Sequence, residues 1–382
     1  MTGFFAEGDL SPNMLEQARQ RLTGYIDLTS SNPTRQGLLF PPQILAEAAG
    51  SYWSERRYQP DPLGALPARQ AIARYYAQRT PALDLELNRL FITASTSEAY
   101  SLLFALLTEP GDNVLGPEVS YPLFEYLAAI HHIELRPYKM VEERGWQIDQ
   151  ESLLQQADER TRAVLLISPH NPTGMIVRER QEALSQLGLP VICDEVFAEF
   201  TFGVPHTPPF GAVQPDLTVF HLNGISKLFA LPDMKLGWVA VSGPHTEDYA
   251  GRLELLNDTY LSCSSLIQWM LPALFEKGMG FVEHMRRYIQ QNLEKALGIL
   301  RSCPALDLKG LPPDGGYYLF PGVREWRDEE ALALYLLEEG GVLVHPGYFY
   351  GFEGQGAHIM LSCLTETAQL EEGLNRLVKA LS

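Results

Sequence analysis

Apolar residues in this chain of 382 residues follow two rhythms. Short continuous runs such as Ala163-Val164-Leu165-Leu166-Ile167, bounded by turn residues, predict strands buried on both faces. Seven such runs stand at residues 90–93, 113–116, 133–138, 163–167, 190–193, 218–222 and 237–241. Between and around them, apolar residues recur at helical spacing. The first predicted helix covers 11–24, with Ser11 as N-cap and Pro12 at the first position. Further helices are predicted at 41–54, 66–79, 246–275 and 279–302. Strands alternating with helices predict a mostly parallel sheet covered on both faces. The pattern then changes. Gly315-Gly316-Tyr317-Tyr318-Leu319-Phe320, a helix at 328–339, short runs at 341–344 and 359–363 and a last helix from about 366 predict a smaller α+β unit. No internal repeat or low-complexity stretch is visible.

Length and a 46% hydrophobic content are enough for two cores, which gives three stretches. Residues 1–45 lie outside the βα series and are expected to pack on the smaller domain. Residues 46–277 form the large domain and residues 278–382 the small one. A formal net charge of -18 opposes binding to a phosphate backbone, so no nucleic-acid partner is expected. No run approaches a membrane span, and Met1–Leu10 has neither a basic region nor an apolar core of signal-peptide length. The four cysteines, Cys193, Cys263, Cys303 and Cys363, form no C-x-x-C pair. A reducing compartment, the cytoplasm, and no disulfide framework are expected.

The chemically suggestive residues follow the predicted strands. Ser168-Pro169-His170-Asn171-Pro172-Thr173-Gly174 follows 163–167, Asp194-Glu195 follows 190–193, and Lys227 follows 218–222. Ligands of open parallel sheets bind at the carboxyl ends of strands, so these segments are expected to meet in one crevice. Lys227 stands in a turn of small and apolar residues, and Lys235 follows eight positions later. One amine able to form an imine and one cation able to hold a phosphate are what pyridoxal phosphate asks of a protein. Ser95, Thr96 and Ser97 open an apolar helix whose free amides and hydroxyls can cradle a phosphate. Taken alone, that stretch is also an ordinary Ser/Thr cap. Tyr121 is placed to stack on a flat ring, or to sit half-buried in a core. Asn171 is placed to donate to a ring oxygen, or merely to make an Asn-Pro turn. Asp194 can pair with a protonated pyridine nitrogen, or cap a helix. No metal site is expected.

Together these residues resemble the class I/II aminotransferases of PLP fold type I, over roughly residues 25 to 380. The resemblance rests on Tyr58…Gly64…Arg69-Gln70-Ala71-Ile72, Ser95-Thr96-Ser97, Pro110-Gly111-Asp112, Tyr121-Pro122, Asn171-Pro172-Thr173-Gly174, Asp194-Glu195, Ser226-Lys227 and Gly237-Trp238. It implies an α/β fold, with a mostly parallel seven-stranded sheet flanked by helices in the large domain and a smaller α+β domain. It further implies Lys227 as the Schiff-base lysine, Asp194 as the partner of the ring nitrogen, Asn171 as donor to the ring 3-oxygen and Tyr121 as the stacking ring. Residues Ser95, Thr96 and Ser97 become the phosphate cup, and Lys235 the phosphate cation. Tyr58 resembles the tyrosine that reaches the phosphate of a neighbouring subunit, which implies a homodimer with shared sites. The implied activity is transfer of an amino group from an amino acid or related amine to an oxo acid. A lyase or cyclisation enzyme of the same fold is the alternative, and a non-catalytic PLP-binding regulatory module stands further off.

Four positions depart from the family's pattern. Phe197 stands where a tyrosine usually donates to the ring 3-oxygen, which implies a more basic imine. Lys235 replaces a phosphate-binding arginine and lacks its bidentate fork. Gly224 replaces a serine. In His358-Ile359-Met360-Leu361-Ser362, Met360 takes the place of the arginine that holds the substrate carboxylate. An unpaired buried carboxylate is costly. The substrate therefore meets another cation, with Arg35 in Asn32-Pro33-Thr34-Arg35 ranked before His358, or has no such carboxylate; Asn32 of the same segment is a further candidate substrate contact.

Overall fold

The computed structural model describes residues 11–54, 56, 58–352, 354 and 356–382. At its centre lies a seven-stranded sheet in the order Leu90–Thr93, Gly237–Ser242, Val219–Gly224, Val191–Asp194, Thr161–Ile167, Asn113–Pro117, Glu134–Tyr138. Gly237–Ser242 runs antiparallel to both neighbours, and every other pairing is parallel. All seven predicted runs are strands of this sheet, with no end shifted by more than two residues. The central strands are buried along their length, as the continuous apolar runs require.

The parallel strands end on one edge of the sheet. Asp194 is the last residue of its strand and pairs in register with Ile167 on one side and Leu222 on the other. Val219–Gly224 runs directly into the short helix Ile225–Leu228, which carries Lys227. The antiparallel strand begins at this same edge, just after Lys235.

The helices differ from the sequence expectation at two places. Asn13, not Ser11, caps the first helix, Met14–Arg21, by accepting from the Glu16 amide at 2.8 Å. The break expected at 275–279 lies instead at 261–264, between Thr246–Tyr260 and Ser265–Leu300. Leu261 adopts a left-handed φ of 65° that ends the earlier helix. Gly278, in the expected gap, lies inside Ser265–Leu300. A Cβ there would approach the Phe40 ring to 2.7 Å, so glycine makes room for that ring.

The second sheet is formed by Leu306–Asp307, Gly322–Val323, Ala357–Ser362 and Tyr318–Leu319, with His345–Pro346 also paired to Ala357–Ser362. Ile26–Asp27 pairs in parallel with Val342–Leu343, and helix Met14–Arg21 packs on helix Glu329–Glu338. These two contacts tie Met14–Arg21 and Ile26–Asp27 to C-terminal segments, and Met1–Leu10 lies outside the described residues. Helix Ser265–Leu300 packs on Pro42–Ser54, Leu66–Gln78 and Thr367–Leu381, linking the two sheets' surroundings. Among the described residues, no helix is long and apolar enough to cross a membrane.

Candidate active site

A cleft of about 310 Å³ opens at the sheet edge where the motifs converge. Ser95, Thr96, Ser97, Tyr121, Asn171, Asp194, Lys227 and Lys235 all line it. Phe197, Gly224 and Ser226 line it as well. The sequence reading missed Ser31, Tyr100 and Tyr318, which also face the cleft. Tyr100 sits among apolar helix positions and Tyr318 in a short strand, so each looks like a core residue in sequence.

Each wall has a local cause. Ser95 is the N-cap of helix Thr96–Leu107, and its hydroxyl accepts from the Glu98 amide at 3.2 Å. The Glu98 carboxylate in turn accepts from the Ala94 amide, so the turn is fixed from both sides and presents the first amides of a twelve-residue helix to the cleft. Gly237 lets this turn approach the sheet. A Cβ at 237 would meet the Ser95 carbonyl carbon and the Thr96 nitrogen at 2.8 Å.

Asp194 is buried, and burial raises its carboxyl to about 6. Two donors work against that rise: the Val196 amide reaches Oδ1 at 3.0 Å and the Tyr100 hydroxyl reaches Oδ2 at 2.9 Å. Behind it, Glu195 is fully enclosed and ion-paired with Arg79, and it accepts from or shares a proton with His221 Nδ1 at 2.7 Å. Burial pushes the Glu195 carboxyl up, but Arg79 and His221 outweigh it and hold the group down at about 2. Lys227 is partly buried. Burial lowers the pKa of its amine, and the Asp194 charge partly opposes this. Its Nζ lies 6.0 Å from the centroid of the Phe197 ring, which in turn packs edge-on against Tyr317 at 4.7 Å.

Three candidates for the substrate are not cleft residues. Arg35 sits in the short turn Pro33–Gln36 with its side chain exposed, and it does not line the cleft. Asn32 spends its side-chain oxygen on capping that turn, accepting from the Thr34 amide at 3.1 Å and hydroxyl at 2.7 Å. His358 is enclosed by Phe352, Phe320 and Trp146, with ring centroids at 4.2, 5.1 and 5.8 Å, and its Nε2 meets Glu142 at 3.3 Å. The sheet pairing that packs His358 into this aromatic cluster removes it from the cleft. Met360, 1% exposed, is likewise core. Tyr58 is 76% exposed and does not line its own chain's cleft.

The family model for aminotransferase class I and II matches residues 23–377. The chain belongs to that family. A probable aminotransferase, TAT1, of Arabidopsis thaliana is 28% identical over 328 residues, which is 82% of this chain and 72% of that protein. The S-alkyl-thiohydroximate lyase SUR1 of the same plant is 27% identical over 82% of this chain and 70% of its own length. Among solved structures, the alanine aminotransferase from Pyrococcus furiosus superposes with a TM-score of 0.88 at 24% identity, covering 96% of this chain and 94% of that one. The fold is therefore PLP fold type I.

As a class I/II aminotransferase, the chain has a cleft suited to pyridoxal phosphate. Asn171 lines the cleft and carries a carboxamide N–H group able to donate to a ring oxygen. The Ser95–Thr96 turn is seated by Gly237 against the sheet, with Lys235 on the same cleft. The buried Asp194 carboxylate, which a cation would stabilise, and the Lys227 amine line the same cavity. Asn171 suits a ring oxygen, the Ser95–Thr96 turn with Lys235 a phosphate, Asp194 a ring nitrogen and Lys227 an aldehyde.

Proposed function

We propose that this enzyme moves an amino group between an amino acid, or a related amine, and an oxo acid, with Lys227 as the residue that links to pyridoxal phosphate. One observation carries the reading: Lys227 and Asp194 line one cleft and feel each other's charge. Pyridoxal phosphate, when bound, supplies a carbon for imine formation and a ring that withdraws electrons. Ser95, Thr96, Ser97 and Lys235 hold its phosphate, Tyr121 stacks on the ring and Asn171 meets the ring oxygen. Asp194 keeps the ring nitrogen protonated, because a cation at that point offsets the cost of burying the carboxylate. Burial makes the Lys227 amine less basic than an exposed lysine, which favours Nζ as the group that takes the α-proton of the substrate and delivers it again.

No arginine or histidine lines the cleft among the described residues, and the polar side chains given no cofactor or positioning role are Ser31, Ser226 and Tyr318. This supports substrates whose carboxylate is held by hydroxyls and amides, or that lack one.

A homodimer with shared sites is part of the same proposal. Trp53, Tyr58, Leu66, Leu255, Tyr260, Leu261 and Trp269 are large, exposed and apolar. Several of them border a groove of about 940 Å³ that also includes Arg56, Asp61 and Gln268. Such a surface favours association. The domain limits 1–45, 46–277 and 278–382 are proposed on the two sheets and the pairing of Ile26–Asp27 with Val342–Leu343. The cysteines are free thiols, which supports a reducing, cytoplasmic setting.

A lyase of the same fold is the second reading, favoured by the similarity to a protein named as a lyase. A spectral screen of single amino donors, with no oxo acid added, separates the two. An aminotransferase converts the bound cofactor stoichiometrically to pyridoxamine phosphate. A lyase regenerates pyridoxal phosphate on every turnover.

A further inference from the structure

Tyr100 lies one helical turn past Thr96, on the inner face of helix Thr96–Leu107. It is 2% exposed and packs against Phe124 at 4.8 Å and Phe104 at 6.1 Å between ring centroids. A core role alone would be served equally by phenylalanine. The hydroxyl instead reaches out of this apolar packing to Asp194 Oδ2 at 2.9 Å, while the Val196 amide holds Oδ1 at 3.0 Å. A carboxylate gripped at both oxygens, one from a helix and one from its own turn, cannot rotate without breaking a buried hydrogen bond.

We propose that Tyr100 is a positioning residue for Asp194, fixing the plane of the carboxylate and keeping it charged so that it can hold a proton on a bound ring nitrogen. The inference rests on the reading that Asp194 serves the ring nitrogen of pyridoxal phosphate.

The electrostatics support the geometry. The charged groups that face Asp194 are Glu195, which opposes its ionisation, and Lys227, which favours it. The Lys227 charge disappears whenever its amine is neutral. Tyr100 and the Val196 amide are then left as donors that do not depend on that proton. The groups facing the Tyr100 hydroxyl are Asp194, Cys193 and Tyr138. Burial, and after it the Asp194 charge, raises the phenol well above its ordinary value, so it remains a donor at every working pH.

The test follows the proton itself. Pyridoxal phosphate labelled with ¹⁵N in the ring is bound to the wild type, Tyr100→Phe, Asp194→Asn and the double variant, and the ring-nitrogen resonance is followed with pH. Cofactor affinity by equilibrium dialysis and the melting temperature are recorded alongside. Loss of one hydrogen bond to a charged group changes the partition of the proton between ring and carboxylate by about tenfold. Tyr100→Phe is expected to move the resonance part of the way from the pyridinium toward the unprotonated position, with the melting temperature nearly unchanged. Asp194→Asn is expected to move it fully, and Tyr100→Phe to add nothing in that background. An unmoved resonance in Tyr100→Phe, with the full shift in Asp194→Asn, overturns the inference and leaves the role of Asp194 intact. The same shift from Tyr100→Phe in both backgrounds also overturns it, since the effect then bypasses Asp194. An unmoved resonance in Asp194→Asn overturns the assignment of Asp194 itself, and this inference with it.

Discussion

The Lys227 amine faces the Phe197 ring, with Nζ 6.0 Å from its centroid. An aromatic face in this position offers no hydrogen bond to a ring oxygen beside the lysine. Phe197→Tyr is therefore expected to lower the pH at which the absorbance of the bound cofactor changes, by stabilising the phenolate that competes for the imine proton. A pH titration of the visible spectrum measures this. An upward shift, or none, contradicts the hydrogen-bond account.

Burial of the Asp194 carboxylate is expected to cost the cofactor-free protein stability. Its carboxyl is raised from 3.8 to about 6 by burial. A raised folded-state value means that stability is fully present below pH 4 and is lost as pH rises through 6. Asp194→Asn removes this dependence. At pH 7 the cofactor-free variant is expected to be more stable than the wild type by about 3 kcal/mol, with the gap closing as pH falls from 6 toward 4. Urea unfolding at pH 5 and pH 7 measures the gap, and one that widens on acidification contradicts the sign.

Gly237 lets the Ser95–Thr96 turn, the proposed phosphate cup, lie close against the sheet. A Cβ there would stand 2.8 Å from the backbone of Ser95 and Thr96. Strain of this kind typically costs about 1–3 kcal/mol, roughly one to two decades in affinity if it falls on the cup. Gly237→Ala is expected to weaken binding of pyridoxal phosphate by that factor in equilibrium dialysis. Unchanged affinity would show that the cup does not depend on this contact.

Arg35 tests the substrate end of the cleft. It is exposed and does not line the cavity. Surface substitutions usually change stability by less than about 0.5 kcal/mol, and an effect of similar size on substrate is about twofold. Arg35→Ala is expected to leave the half-saturation concentration of any active amino donor within about that factor. A loss of tenfold or more would place Arg35 on the substrate after all.

The sheet and most of the residues that line the cleft were legible in the sequence because their signals are local. A run such as Ala163–Leu166 has no solvent face in which to hide, and Asp194 and Lys227 each follow such a run directly. What was not legible depends on contacts distant in sequence. The helix break was misplaced because Gly278 answers to Phe40, more than two hundred positions away. His358 seemed available because its partners Trp146, Phe320 and Glu142 come from other segments. Tyr100 carried no signal at all. Its helix is apolar around it, and only the approach of Asp194, 94 positions later, shows what its hydroxyl does.

The central claim is that Lys227 carries the cofactor. Borohydride reduction of the protein loaded with pyridoxal phosphate, followed by peptide mass spectrometry, tests it most directly. The account predicts one pyridoxyl group per chain, on Lys227, and none fixed in the cleft of Lys227→Ala. A pyridoxyl group on Lys235 or another lysine, with Lys227 unmodified, would contradict it.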